Sequence, residues 1–179
     1  MKKIKDDELL DLVNEKDEVI GTVWKSEAHG NSKLIHREVA IAILNDKGEV
    51  LIQRRSLNKT SPGSWKITAA GHVGSGEDPK EAVKREVGEE LGISINPIYF
   101  SKRFDKDNKH NESKFYWIYY ALKKGRPKLK INTEEVMDAL WIKPGELLNF
   151  SKKEEWNIKG LSHKTISEIY ENLLAQKIL

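Results

Sequence analysis

The chain contains no cysteine. Disulfides, thiolate zinc sites and cysteine nucleophiles are therefore excluded within its 179 residues. That absence fits a reducing, cytoplasmic setting. Long apolar runs are missing too, since no stretch approaches the ~18–20 residues that a bilayer span needs. The opening MKKIKDDELLDLVNE turns acidic before any apolar core appears, so a secretory signal is not expected. No excess of one charge sign stands out, with 31 Lys and Arg against 28 Asp and Glu, a net +3. Without an aromatic-rich RNA-binding motif or a Cys/His finger, that excess gives no nucleic-acid signal. Most Lys and Arg read as a solvated surface. Internal repeats and low-complexity linkers are absent. What remains is 38% hydrophobic and 33% charged, the composition of one globular domain with a sizeable core.

The order of elements is mixed. DEVIGTVW (17–24) reads as a strand or hairpin. HREVAIAILNDKGEVLIQRR (36–55) places two apolar runs around Asn45-Asp46-Lys47-Gly48 and predicts a β-hairpin. SWKITAA (64–70) predicts a short strand after the turn Ser61-Pro62-Gly63. Strands are expected near 95–104, at 114–122 and at 139–142, with a polar loop FDKDNKHNES (104–113) between the first two. Pro144 starts a short helix over 144–150. Apolar residues at helical spacing predict a C-terminal helix over 161–178. A mixed sheet with helices on its faces is the economical arrangement, in one domain spanning 1–179 with an N-terminal extension over 1–35.

The densest signal lies in GHVGSGEDPKEAVKREVGEELGI (71–93). Asp78 suits an N-cap, Pro79 the first helical position and Glu81 the far end of a capping box. Val83, Val87 and Leu91 recur every four residues as a buried stripe, and Gly92 supplies a left-handed stop. At 100° per residue, Glu86, Glu89 and Glu90 share one face beside that stripe. Like charges at such spacing repel by roughly 0.2–0.5 kcal/mol per pair. A solvated acidic helix is one explanation. The other is a divalent cation, because hard cations take carboxylate oxygens and keep waters for a phosphate substrate. Gly88 inside the helix suggests close approach of another backbone. The glycine-rich loop before the helix could place backbone groups near a phosphate or metal.

The stretch resembles the Nudix box, Gly-x5-Glu-x7-Arg-Glu-U-x-Glu-Glu-x-Gly-U with U aliphatic. Gly71, Glu77, Arg85, Glu86, Val87, Glu89, Glu90, Gly92 and Ile93 fill its defined positions. The resemblance implies an α/β/α sandwich with a mixed sheet. It also implies Mg²⁺- or Mn²⁺-assisted attack of water on a small diphosphate substrate, with no nucleic-acid or membrane partner. It assigns Glu86 and Glu90 as main metal ligands, Glu89 as their assistant and the Gly71 carbonyl as a further donor. Glu77 would pair with Arg85. The general base falls outside the box, to Glu112 first, with Glu134 and Glu135 as alternatives. Arg54, Arg55, Lys59 and Lys66 are candidate diphosphate-binding cations, and Arg103 and Lys106 weaker ones. Arg54 and Arg55 alternate across a strand, so at most one faces the site. Trp65 is either a base-stacking residue or a buried core residue.

The chain also resembles a narrower branch, the isopentenyl-diphosphate isomerase-like Nudix proteins. The likeness runs through DEVIGTVWKSEAHGNSKLIHR, QRRSLNKTSPGSW, AAGHV and NTEEVMDALW. It implies a second metal site at His29, His36 and His72 with Glu112, and His110 near a further ligand position. Each of these histidines also reads as an ordinary polar residue. Isomerisation needs proton addition and removal at carbon, and the resembled isomerases use a cysteine just before the Gly-His pair, where this chain has Ala70. The complete REVGEE run favours hydrolysis as well. An isomerase and a non-catalytic nucleotide-binding regulator are the alternatives, and a homodimer is left open.

Overall fold

The computed structural model describes residues 7–59, 61–147 and 160–179. Strands β1 (Leu9–Val13) and β2 (Val19–Trp24) form a separate antiparallel pair, followed by a single helical turn, α1 (Lys25–Ala28). The strand expected at 17–24 is thus the second arm of a hairpin, and Asp17 stands in its turn at φ 65°. Simple alternation does not predict β1, because Asp11 is buried. Its carboxylate is taken up by Ser75 Oγ, Gly76 N and Arg37.

Strands β3 (His36–Asn45) and β4 (Val50–Arg55) form the predicted hairpin, but they pair only at Ile43–Leu51 and Leu44–Val50. Beyond that point they splay. Thr68 stands in the fork, its hydroxyl accepting from Ile43 N and donating to Leu51 O. The single strand expected at 64–70 is therefore two. β5 (Trp65–Ile67) continues along β4, and β6 (Ala69–His72) continues along β3. The other edge of β3 runs parallel to β8 (Glu112–Lys123), which is antiparallel to β7 (Ile98–Asp107). β9 (Val136–Ile142) covers the outer edge of β4. Most of the expected loop at 104–113 is strand, with a turn only at 108–111. Its polar residues alternate outward along an edge strand, which a hydrophobicity count misses.

Helix α2 (Pro79–Leu91) starts and stops where the sequence predicts. Asp78 accepts from Lys80 N and Glu81 N, and Gly92 closes the helix at φ 64°. A Cβ on Gly92 would meet Lys130 at 2.7 Å, so the left-handed cap also leaves room for a neighbouring chain segment. The Glu81 carboxylate bonds Lys84 Nζ, so the capping box is formed from the Asp78 side. A 3-10 turn follows at Pro144–Glu146; the end of the helix expected there, 148–150, lies outside the described residues. Helix α3 (Gly160–Ala175) is shorter than the expected 161–178. Lys177 adopts φ 56°, and Ile178 N reaches back to Leu173 O, a Schellman closure that leaves Ile178 outside the helix.

The two faces of β3 explain its unbroken apolar run. Val39, Ile41 and Ile43 pack with Val83, Val87 and Leu91 of α2. Ala40, Ala42 and Leu44 pack with Ile166, Ile169 and Leu173 of α3. A strand covered on both sides needs no alternation. Each fully buried aliphatic side chain contributes roughly 1.5–3 kcal/mol. The architecture is an α/β/α sandwich about a mixed sheet. Among the described residues, no helix is long and apolar enough to cross a membrane.

Candidate functional site

Strand β6 carries the site on both of its faces. Gly71 points toward α2, in line with Ala69 and Val73 of that core. A Cβ on Gly71 would lie 2.1 Å from Glu86 Cδ. Only glycine lets the strand press on this carboxylate. The close approach predicted at Gly88 therefore belongs to Gly71. Gly88 faces open space, beside a groove of ≈ 540 Å³ lined in part by Glu89, Lys130 and Asn132, and nothing in the structure explains why it is glycine.

The three helix carboxylates differ in depth. Glu90 is 5% exposed, Glu86 15% at its side chain and Glu89 58%. They share a face as expected, but only two belong to the interior. Burial pushes Glu86 up, Arg85 pulls it down, and Glu90 and Glu89 push it up again, to about 7. Arg85 is the hub. It grips Glu77 through Nε and Nη2 at 2.9 and 3.0 Å, reaches Glu86 at 2.6 Å and Glu89 at 3.3 Å, and donates to His72 O. Glu90 has other partners: Gln53 Nε2 at 2.7 Å and Lys66 Nζ at 3.0 Å.

The glycine-rich loop does not present free amides. Val73 N bonds Arg37 O, Gly74 N bonds Glu77, Ser75 N bonds Leu9 O and Gly76 N bonds Asp11. The N-terminal hairpin and the Glu77–Arg85 pair together consume the donors that a phosphate would need. The loop is a brace for α2.

The opposite face of β6 holds the histidines. His29, His36 and His72 gather so that one ligand nitrogen from each lies within 4.8 Å of the others. His29 Nε2 and His72 Nε2 are 3.0 Å apart. His36 Nε2 is buried with no hydrogen-bond partner. Burial holds His36 below its usual value and brings His72 down to about 3, so both imidazoles are neutral, as metal ligation requires. Glu112 stands 3.9 Å from His29 Nδ1, among the histidines. Its register on β8 puts it on the face away from α2. His110 is bonded to Asp107 at an exposed turn.

Two residues of this cluster escape a motif search. Glu38 lies 3.5 Å from His72 Nε2, and Lys114 Nζ bridges Glu38 at 2.7 Å and Glu112 at 3.2 Å. Burial alone would raise Glu38, but Lys114 and His72 draw it down to about 2. The signal was available: His36-x-Glu38 and Glu112-x-Lys114 have the i, i+2 spacing of one strand face.

Most of the remaining cations are engaged. Arg54 Nε donates to Gly63 O, Lys59 pairs with Glu135, and Arg103 pairs with Glu168 of α3. β4 bulges against β9 between Arg54 and Arg55. Lys106 is exposed. Trp65 is 1% exposed in the α3-side core, which settles it as a packing residue.

A family model described as the NUDIX domain matches residues 34–163, and the chain belongs to the Nudix family. A Salmonella heidelberg protein named isopentenyl-diphosphate Delta-isomerase is 35% identical over 136 residues, 73% of this chain and 74% of the relative. A solved structure from Deinococcus radiodurans is 27% identical with a TM-score of 0.74, covering 91% of this chain and 99% of its own. The Nudix domain of Shewanella oneidensis NrtR, solved with ADP ribose, is 17% identical with a TM-score of 0.63. It covers 76% of this chain and 87% of its own, a likeness of fold alone.

Proposed function

We propose that this chain is a divalent-metal-dependent hydrolase that cleaves a diphosphate linkage by attack of water. Its substrate would be a nucleoside-diphosphate-type or related small molecule. The observation that carries this reading is the seating of Gly71 on the half-buried Glu86 carboxylate, next to buried Glu90. These fixed oxygens, with Glu89 at the rim, form the hard donor set that Mg²⁺ or Mn²⁺ takes. Such an ion, when bound, supplies phosphoryl polarisation and a more acidic water. The chain's own residues do the positioning. Arg85 fixes Glu86 against the loop, and Gln53 orients Glu90. Glu134 and Glu135 follow Asn132, whose N–H bonds Glu90 O, so they are tethered to the helix. Proton acceptance from water is assigned to that pair in preference to Glu112, which lies among the histidines.

The test is Mg²⁺-dependent release of phosphate or nucleotide from a panel of nucleoside diphosphate derivatives, dinucleotides and isoprenoid diphosphates. Activity that is unchanged in Glu90→Gln would overturn the assignment.

A second reading has one specific observation in its favour. The neutral, clustered imidazoles of His29, His36 and His72 fit a transition ion, with the unpartnered His36 Nε2 as the strongest indication. This is the site that the isomerase-like resemblance implies. Isomerisation itself would need a proton donor at Ala70, which alanine cannot be. Deuterium uptake into isopentenyl diphosphate in D₂O would establish the isomerase reading; its absence beside phosphate release supports the hydrolase.

A further inference from the structure

Lys66 is 8% exposed and Glu90 5%, so their contact is internal. Lys66 Nζ lies 3.0 Å from Glu90 Oε1 and 3.4 Å from Ala70 O. A carboxylate and a main-chain carbonyl around one cation is an oxygen donor set of the kind that hard metal ions use. A third oxygen, Oε1 of Gln53, is carried by the amide that bonds Glu90, and it is buried with no donor among the described residues. Arg85 cannot serve this group, because it is committed to Glu77, Glu86, Glu89 and His72 O. Lys66 is therefore the cation that neutralises Glu90.

Resting on the hydrolase reading, we infer that Lys66 is an internal stand-in for the divalent cation and changes partner during binding. Its ammonium holds Glu90 before the cation arrives. When the cation takes Glu90, two positive groups share one buried place, and the ammonium is repelled along its flexible four-carbon stem. The group that can receive it is the substrate's diphosphate, which brings negative charge to the same place. Lys66 thus opposes cation binding and favours diphosphate binding. The specificity that results is for anionic diphosphates over neutral esters.

The two effects have opposite signs, which a merely structural lysine would not produce. Mg²⁺ affinity of the full chain is measured calorimetrically, with Glu90→Gln as the control for the site. Affinity for imidodiphosphate, a diphosphate that water does not cleave, is measured at saturating Mg²⁺. Lys66→Met is expected to bind Mg²⁺ alone on the order of tenfold more tightly and imidodiphosphate on the order of tenfold more weakly. Lys66→Gln, which keeps a donor toward Glu90, is expected to change both in the same directions and serves if Lys66→Met fails to fold. Weakening of both affinities, or no change in either, overturns the inference and leaves the hydrolase reading intact. Mg²⁺ binding that persists undiminished in Glu90→Gln overturns both.

Discussion

The two faces of β6 put buried carboxylates in opposite electrostatic situations. On the α2 face, Glu86 is crowded by Glu90 and Glu89 and stands at about 7. On the other face, Glu38 is equally enclosed, yet Lys114 and His72 hold it at about 2. Burial opposes ionisation in both cases, and the neighbours decide the sign. The α2 face sets Glu77, Glu86, Glu89 and Glu90 against Arg85 and Lys66, so carboxylates outnumber cations there. On the histidine face Lys114 already pairs with both Glu38 and Glu112, so a transition ion held there would rest mainly on neutral imidazoles.

The largest expected break in this comparison is Glu90→Gln. Turnover should fall by a factor on the order of 10²–10³ or more, with an unchanged circular dichroism spectrum. His72→Gln on the other face should abolish Zn²⁺ binding while changing hydrolysis far less. Equal losses of turnover would merge the two faces into one site.

Gly71→Ala comes next. Its methyl must displace the Glu86 carboxylate, at a cost of about 1–3 kcal/mol in thermal unfolding and with loss of most activity. Gly88→Ala is the matched control. It points into open space, within a helix where alanine is favoured by about 1 kcal/mol, and should stabilise the protein.

The pH dependence of stability sharpens the contrast. Glu86 has its folded pKa raised, so its effect is absent below about 4.5 and fully destabilising above about 7. Metal-free protein should lose up to about 3 kcal/mol from this group between pH 5 and 8. Glu86→Gln should flatten that slope, and saturating Mg²⁺ should reduce it. Glu38 behaves in the opposite sense. Its folded pKa is depressed, so its contribution is present above about 4.5 and is lost as pH falls toward 2. Chemical denaturation in buffers from pH 3 to 8 reads both. The smallest effect expected is from Asp11→Asn, which loosens the loop brace through Ser75 and Gly76 and should cost about 1 kcal/mol.

Much of this was legible in the sequence, for physical reasons that differ by region. Helix α2 declares itself because cap, stripe and stop are local signals within 78–92. The β3–β4 hairpin does so for the same reason. The fork at Thr68 does not, because splitting one strand between two partners is a tertiary event. The end of edge strand β7 hides behind its own polar residues, and β1 behind a buried aspartate. The box glutamates were readable as a set, but not their graded burial, which depends on how β6 approaches α2. Lys66 and Lys114 look like surface lysines until the sheet folds them inward.

The central claim is that the α2 face directs water at a diphosphate. The most direct test is turnover of the substrate panel in D₂¹⁸O with Mg²⁺, analysed by mass spectrometry of the products. The account predicts one ¹⁸O in a phosphate-bearing product per cleavage, lost in Glu90→Gln. Intact diphosphates carrying solvent hydrogen at carbon, with no ¹⁸O in any phosphate, would contradict it.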